Sequence, residues 1–147
     1  MTQAQSRADR RVALITDNPY RDLPGLVLLA RRLAQAGESC WLVPNAGLWG
    51  ELGAIAPEVT VLNNIRRKRH ELASALMDAG SRVAVLETEG GVMPDFETYT
   101  ALARPDRALF GRVSRICTWG PRVADFVVSD GWFSKAQVVV TGSPRFD

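Results

Sequence analysis

Short apolar runs rich in β-branched residues alternate along the chain with longer stretches in which apolar positions recur every three to four residues. The short runs, which have the length and composition of strands, lie at 12–16, 39–43, 59–62, 83–86, 116–118 and 137–141. The longer stretches, which have helical spacing, lie at 22–36, 48–55, 66–79, 96–103 and 121–131. This alternation predicts βαβ units and a Rossmann-like, three-layer α/β domain with a mostly parallel sheet.

Local signals define some of these elements more closely. Asp22 is the expected N-cap of the first helix, with Pro24 in its first turn and Gly37 as its stop. The run at 83–86 is apolar at every position, which predicts a strand in the middle of the sheet, covered on both faces.

Composition places the chain among ordinary globular proteins. It has 147 residues, 46% hydrophobic and 23% charged, and its net charge of +2 is too small to imply a nucleic-acid partner. Cys40 and Cys117 lie in apolar runs, which suggests buried thiols in a reducing compartment. No run approaches the roughly 18 apolar residues of a membrane span, so a cytoplasmic location is expected.

The domain organisation follows from the same pattern. We expect a flexible N-terminus at 1–10, one Rossmann-like domain at 11–141, and at 142–147 the start of a linker. No closing helix follows the last strand, which favours a continuing polypeptide with a further C-terminal domain.

Ligands of open parallel sheets bind beyond the carboxyl ends of the strands, so the segments after strands are the first candidates for chemistry. After the fourth strand, Glu87 and Glu89 would lie on one side of an extended chain, about 7 Å apart, where one can act as a general base. Gly90 and Gly91 would bring backbone N–H groups near a phosphate or a sugar oxygen. The alternative is a pair of solvated acids followed by a turn.

Two further segments carry candidate binding groups. Asp17 and Asn18 follow the first strand and can hold substrate, or they can form a simple Asx turn. Trp119 and Gly120 follow the fifth strand, where the indole can wall a pocket and stack on a sugar, or pack in the core. Trp41, within a strand, is expected in the core.

A basic cluster stands at the start of the third helix and consists of Arg66, Arg67, Lys68 and Arg69. It can face an anionic membrane surface, at about 1 kcal/mol per residue, or form a solvated helix face. His70, the only histidine, is expected at the surface, and without a second histidine no metal site is predicted.

Three of these segments resemble a known family. The residues from Thr141 to Asp147 are similar to the strand-turn that ends the N-terminal half of GT-B-like glycosyltransferases, notably Kdo transferases and surface carbohydrate biosynthesis proteins. The segment from Glu87 to Gly91 is similar to the acidic glycine motif midway through that half, and the turn at 118–120 adds to the likeness.

The resemblance implies the acceptor-side domain of a glycosyltransferase in bacterial lipopolysaccharide or capsule synthesis. Glu87 or Glu89 would be the catalytic carboxylate, and Gly142, Ser143 and Arg145 would line the cleft between two halves. The acceptor would be a glycan or glycolipid, and a nucleotide-activated sugar would bind to the second domain, so this chain alone would be inactive and hold no cofactor. The alternative is a non-catalytic binding or assembly domain of the same fold. A flavodoxin-like or receiver-like signalling domain is a third interpretation.

Overall fold

A computed structural model describes residues 10–88 and 94–144. Within these residues six strands form one sheet, and helices lie on both of its faces. The strands are β1 (Arg11–Thr16), β2 (Ser39–Pro44), β3 (Val59–Leu62), β4 (Arg82–Leu86), β5 (Arg115–Thr118) and β6 (Val138–Val140). The helices are α1 (Pro19–Gln35), α2 (Leu48–Ile55), α3 (His70–Asp78), α4 (Phe96–Ala103), α5 (Arg107–Arg112) and α6 (Pro121–Ser129).

All strand pairs are parallel and their order is β2-β1-β3-β4-β5-β6, which confirms the predicted α/β fold class. The chain steps from β1 to β2 at the edge, then crosses to the other side of β1, where Leu14 pairs with Val61 of β3. The strand order therefore reverses between β1 and β3, the position at which doubly wound sheets bind ligands. β4 lies between β3 and β5, as its apolar sequence predicted.

The two helical layers are unequal. On one face, α1 packs Leu26 against Val12, Leu14 and Leu86. On the other face, α2 to α6 cover a larger core in which Phe110 is fully buried and stacks on Phe133, with ring centroids 5.0 Å apart. Five of the described helices thus bury most of the apolar surface on one face of the sheet.

The first helix begins earlier than predicted. Asn18 is its N-cap and accepts hydrogen bonds from the backbone N–H groups of Tyr20 and Arg21 at 3.0 and 3.2 Å. Asp22 lies in the first turn and Pro24 inside the helix, so the prediction of Asp22 as the cap was wrong. The physical reason is Pro19, whose fixed φ suits the first helical position and places the cap at the residue before it.

Three other predictions need correction. The helix predicted at 66–79 begins at His70, after a 3₁₀ turn at Arg67–Arg69, and α5 was not predicted because six residues are too few for a periodic pattern. Trp41 is 37% exposed because β2 is an edge strand. His70 is buried, since its ring packs edge-on against Phe110.

Candidate functional site

Three side chains from separate loops meet at the carboxyl ends of β1 and β2. Asn45 donates to Asp17 at 2.9 Å, and Arg69 donates to both Asn45 at 2.7 Å and Asp17 at 3.3 Å. The Arg69 side chain is only 6% exposed, which gives its hydrogen bonds the strength of charged groups away from water. We call these three residues the Asp17 triangle, because their hydrogen bonds hold one another in place at the carboxyl edge of the sheet. Asp17 is one of the predicted binding residues.

A cavity of about 380 Å³ opens beside this triangle, between the start of α2 and the start of α3. We call it the Trp49 cleft, because the Trp49 ring forms one wall and is 58% exposed. Its other lining residues are Asn45, Gly47, Leu48, Gly50, Lys68, Arg69, Glu71 and Leu72. An exposed aromatic face beside amide, carboxylate and cationic groups suits a ligand with both apolar and hydrogen-bonding surfaces, such as a sugar.

Next to it, at the reversal point between β1 and β3, three buried side chains carry unpaired polar atoms. Asn63 and Asn64 are at most 1% exposed; both polar atoms of the Asn63 amide and the Nδ2 of Asn64 have no hydrogen-bond partner in the described part of the chain. The Oγ1 of Thr16, at the end of β1, also has none among these residues. Unpaired buried polar atoms are rare and costly in proteins, so this point of the sheet edge is a candidate for holding a polar ligand group or a water molecule.

Glu87, one of the two predicted catalytic acids, is 2% exposed. Its Oε2 accepts a hydrogen bond from the Tyr99 hydroxyl of α4 at 2.9 Å, and its backbone carbonyl accepts one from the Trp119 indole. Burial, followed by the negative charge of Glu87, raises the pKa of Tyr99 far above its usual value, so the hydroxyl stays a donor. The structure therefore places Glu87 inside the protein, held by two aromatic residues.

The chain stays paired with its neighbours beyond the end of β4. The backbone N–H of Glu87 donates to Cys117 at 3.0 Å, and that of Thr88 donates to Asn63 at 3.0 Å. This alternation from one side to the other is what an extended strand gives, in line with the expected geometry as far as Thr88. Glu89, Gly90, Gly91 and Arg145 lie outside the described residues.

The remaining predicted binding residues divide into two groups. Trp119 is half-buried against Glu87, and Gly120 precedes α6 in an extended conformation. Gly142, with φ +75°, and the buried Ser143 follow β6. These four lie near the β4 to β6 end of the edge, whereas Asp17 lies at β1, and the side-chain oxygen of Asn18 is occupied by capping α1.

The four residues of the predicted basic cluster differ in their burial. Arg69 points into the Asp17 triangle, so the cluster presents Arg67 and Lys68 as its exposed cations, with Arg66 half-buried. Asp17 and Asn45 are the partners of the two terminal nitrogens of the buried Arg69, whereas its Nε has no partner among the described residues.

Sequence reasoning missed Asn45, Trp49, Asn63 and Asn64. Asn63 and Asn64 come directly after the apolar strand β3, and Asn45 directly after β2, so the rule that led to Asp17 would have found these three. Trp49 has no such signal, because it lies on α2 and reaches the edge only through the fold.

No protein-family model, curated protein or solved structure matches the chain. Across residues 10–88 and 94–144, no helix has both the length and the apolar character needed to cross a membrane. In the same residues, no three His, Cys, Asp or Glu side chains are grouped so as to hold a metal ion. The geometry of the sheet edge is therefore the basis for assigning a function.

Proposed function

We propose that this chain is the acceptor-side domain of a GT-B-like glycosyltransferase of bacterial surface carbohydrate synthesis, and that it holds the acceptor glycan in the Trp49 cleft. The observation that carries the proposal is the exposed Trp49 ring beside the Asp17, Asn45 and Arg69 triangle. Fixed donors and acceptors orient sugar hydroxyls, while an aromatic face covers the apolar face of the ring.

Glu87, which follows β4, lies across the same edge of the sheet. β4 is two strands from β1, so the end of β4 is about 10 Å from the end of β1 at ordinary strand spacing. Because Glu87 is engaged by Tyr99, we assign it a positioning role and propose Glu89 as the general base. The base takes the proton of the acceptor hydroxyl as its oxygen bonds to the donor's anomeric carbon and the nucleotide departs with the bonding electrons.

The donor, a nucleotide-activated sugar, would bind to a second domain beyond Asp147. The proposal therefore separates into two measurable properties: binding of acceptor-type sugars by the 147-residue chain, and sugar transfer by a form that also carries a donor-binding domain. The engagement of Glu87 also favours a second candidate, a non-catalytic sugar-binding domain, which would bind the same sugars and never support transfer.

The test combines both measurements. Methyl glycosides of glucose, galactose, N-acetylglucosamine and Kdo are titrated into the 147-residue chain and followed by ¹H–¹⁵N NMR, with UDP and CMP as nucleotide controls. We expect a glycoside, and neither nucleotide, to shift amides of the Trp49 cleft. In the longest reading frame that contains the chain, Glu89→Gln should abolish transfer, whereas Glu87→Gln retains it. Full transfer activity in Glu89→Gln would refute the catalytic assignment. If no form of the protein transfers sugar, the glycosyltransferase proposal is wrong and the non-catalytic sugar-binding domain stands.

A further inference from the structure

A second cavity, of about 490 Å³, lies between α3 and α5 and shares no lining residue with the Trp49 cleft among the residues that the structure describes. Three guanidinium-bearing residues line it: Arg67 before α3, Arg104 after α4, and Arg112 at the end of α5. His70 and Ser74 of α3 complete the wall on one side. We call this cavity the arginine cleft.

The charges in the arginine cleft are not balanced. Neither the Arg67 nor the Arg104 guanidinium forms an ion pair or a hydrogen bond with any residue that the structure describes. Arg112 pairs with Asp78, and Asp106, the acid among the described lining residues, accepts the Leu109 N–H at the start of α5. Arg67 and Arg104 therefore have no ion-pair partner within the described part of the chain, and one carboxylate, that of Asp106, stands beside three guanidinium groups in the described lining.

Arg104 has a backbone conformation that an arginine does not favour. Its φ is +45°, in the left-handed region where glycine is the usual residue, because a Cβ there meets the backbone. Ala56 has the same conformation and also lies between a helix and a proline, so the left-handed backbone is the way in which this chain ends a helix before a proline. An arginine at this point places a guanidinium at the arginine cleft, which glycine cannot do.

The buried wall of the cleft contributes no charge. Burial, together with the neighbouring Arg67, lowers the pKa of His70 below its usual value, so the imidazole is neutral at pH 7. Its Nε2 has no hydrogen-bond partner among the described residues. The positive charge of the cleft comes from arginines, which stay protonated at any physiological pH.

We propose that the arginine cleft binds the phosphate group of a small phosphorylated molecule, through Arg67 and Arg104 with Arg112 beside them. Guanidinium groups match phosphate oxygens in a paired, planar geometry, and a phosphate dianion would neutralise both unpaired cations. The volume falls within the range of about 300–1,000 Å³ typical of small-molecule sites, which leaves room for the molecule that carries the phosphate. The site is independent of the proposed sugar site.

The test is an NMR titration of the 147-residue chain with glucose 6-phosphate, inorganic phosphate and glucose. Glucose 6-phosphate and phosphate should shift the amides of Ser74, Ala108 and Leu109, whereas glucose should not. Vesicles of phosphatidylglycerol, with phosphatidylcholine as the neutral control, distinguish a lipid headgroup from a soluble phosphate. The two cavities share no lining residue among those that the structure describes, so their amide signals are separate. The absence of phosphate binding in the arginine cleft can therefore be distinguished from the absence of sugar binding in the Trp49 cleft.

Variants separate the site from general charge. Arg67→Gln and Arg104→Gly should each weaken glucose 6-phosphate binding by about tenfold, the effect of losing one charged hydrogen bond. Arg104→Gly also relieves the left-handed strain, so its melting temperature should not fall, and weaker binding cannot be due to unfolding. Arg31→Gln removes an equal charge from the exposed surface of α1 and should bind like the unmodified chain. Equal losses in all three variants, no shifts in the cleft, or binding to phosphatidylglycerol vesicles alone would each overturn the proposal.

Discussion

The hydrogen bond between Tyr99 and Glu87 gives the sharpest stability prediction. Both residues are at most 3% exposed, and the hydroxyl donates to the buried carboxylate at 2.9 Å. Tyr99→Phe removes the donor and leaves the Glu87 oxygen without it, away from water. A lost hydrogen bond to a charged group costs about 1.5–3 kcal/mol, and we expect a decrease of about 2–3 kcal/mol in the free energy of unfolding.

The chain contains its own matched control. Tyr20 is 96% exposed, so Tyr20→Phe removes the same hydroxyl without cost. In urea unfolding, Tyr99→Phe should shift the midpoint and Tyr20→Phe should not; in thermal unfolding, the loss corresponds to a decrease of about 5–10 °C. Two variants of equal stability would refute the buried hydrogen bond between Tyr99 and Glu87.

A double-mutant cycle tests the pair itself. Glu87→Gln leaves a neutral group that still accepts a hydrogen bond, so it should cost less in the Tyr99→Phe background than in the unmodified chain. Additive effects of the two changes would show that the residues do not interact.

Three further predictions concern individual side chains. Burial lowers the pKa of His70, so the unfolded chain binds the proton more readily than the folded chain. The contribution of a neutral His70 to stability should be fully present above about pH 6.5 and decrease as the pH falls below it. His70→Phe should remove this decrease, measured by urea unfolding between about pH 7.5 and 5.5. Asn18→Ala should cost about 1 kcal/mol because α1 loses its N-cap, measured by urea unfolding against Gln35→Ala, which removes an exposed amide from the last turn of the same helix. Arg104→Gly should stabilise the chain by about 1 kcal/mol because it relieves a left-handed residue, and Ala56→Gly, with φ +46°, should do the same in thermal unfolding.

Much of the fold was predictable from local pattern. The bounds of β3 and α4 coincide with the predicted ranges, because period and length identify a buried strand or a helix without any tertiary information. Strand order was not predictable, since nothing near 59–62 encodes that β3 pairs with β1 on the side away from β2. The same limit applies to Trp41, whose exposure depends on β2 being an edge strand.

The site was predictable only in part, for a related reason. Asp17 followed from its place after β1, but its partners come from distant sequence: Asn45 is 28 residues away and Arg69 is 52. No spacing rule connects them, because the crossover from β2 to β3 brings the two loops together. Likewise, Glu87 is buried against the hydroxyl of Tyr99, which lies on α4, 12 residues further along the chain. The apolar pattern of β4 does not predict this contact.

Binding of a sugar in the Trp49 cleft is the central claim, and the most direct measurement compares Trp49→Ala with Trp41→Ala. Both indole rings are partly exposed, at 58% and 37%, but Trp41 lies on edge strand β2 and is not part of the cleft. Dissociation constants of the methyl glycoside that shifts the cleft amides are measured by NMR for both variants. We expect at least about tenfold weaker binding for Trp49→Ala, the loss of a stacked aromatic face, and unchanged binding for Trp41→Ala. Equal affinity in the two variants would contradict the claim.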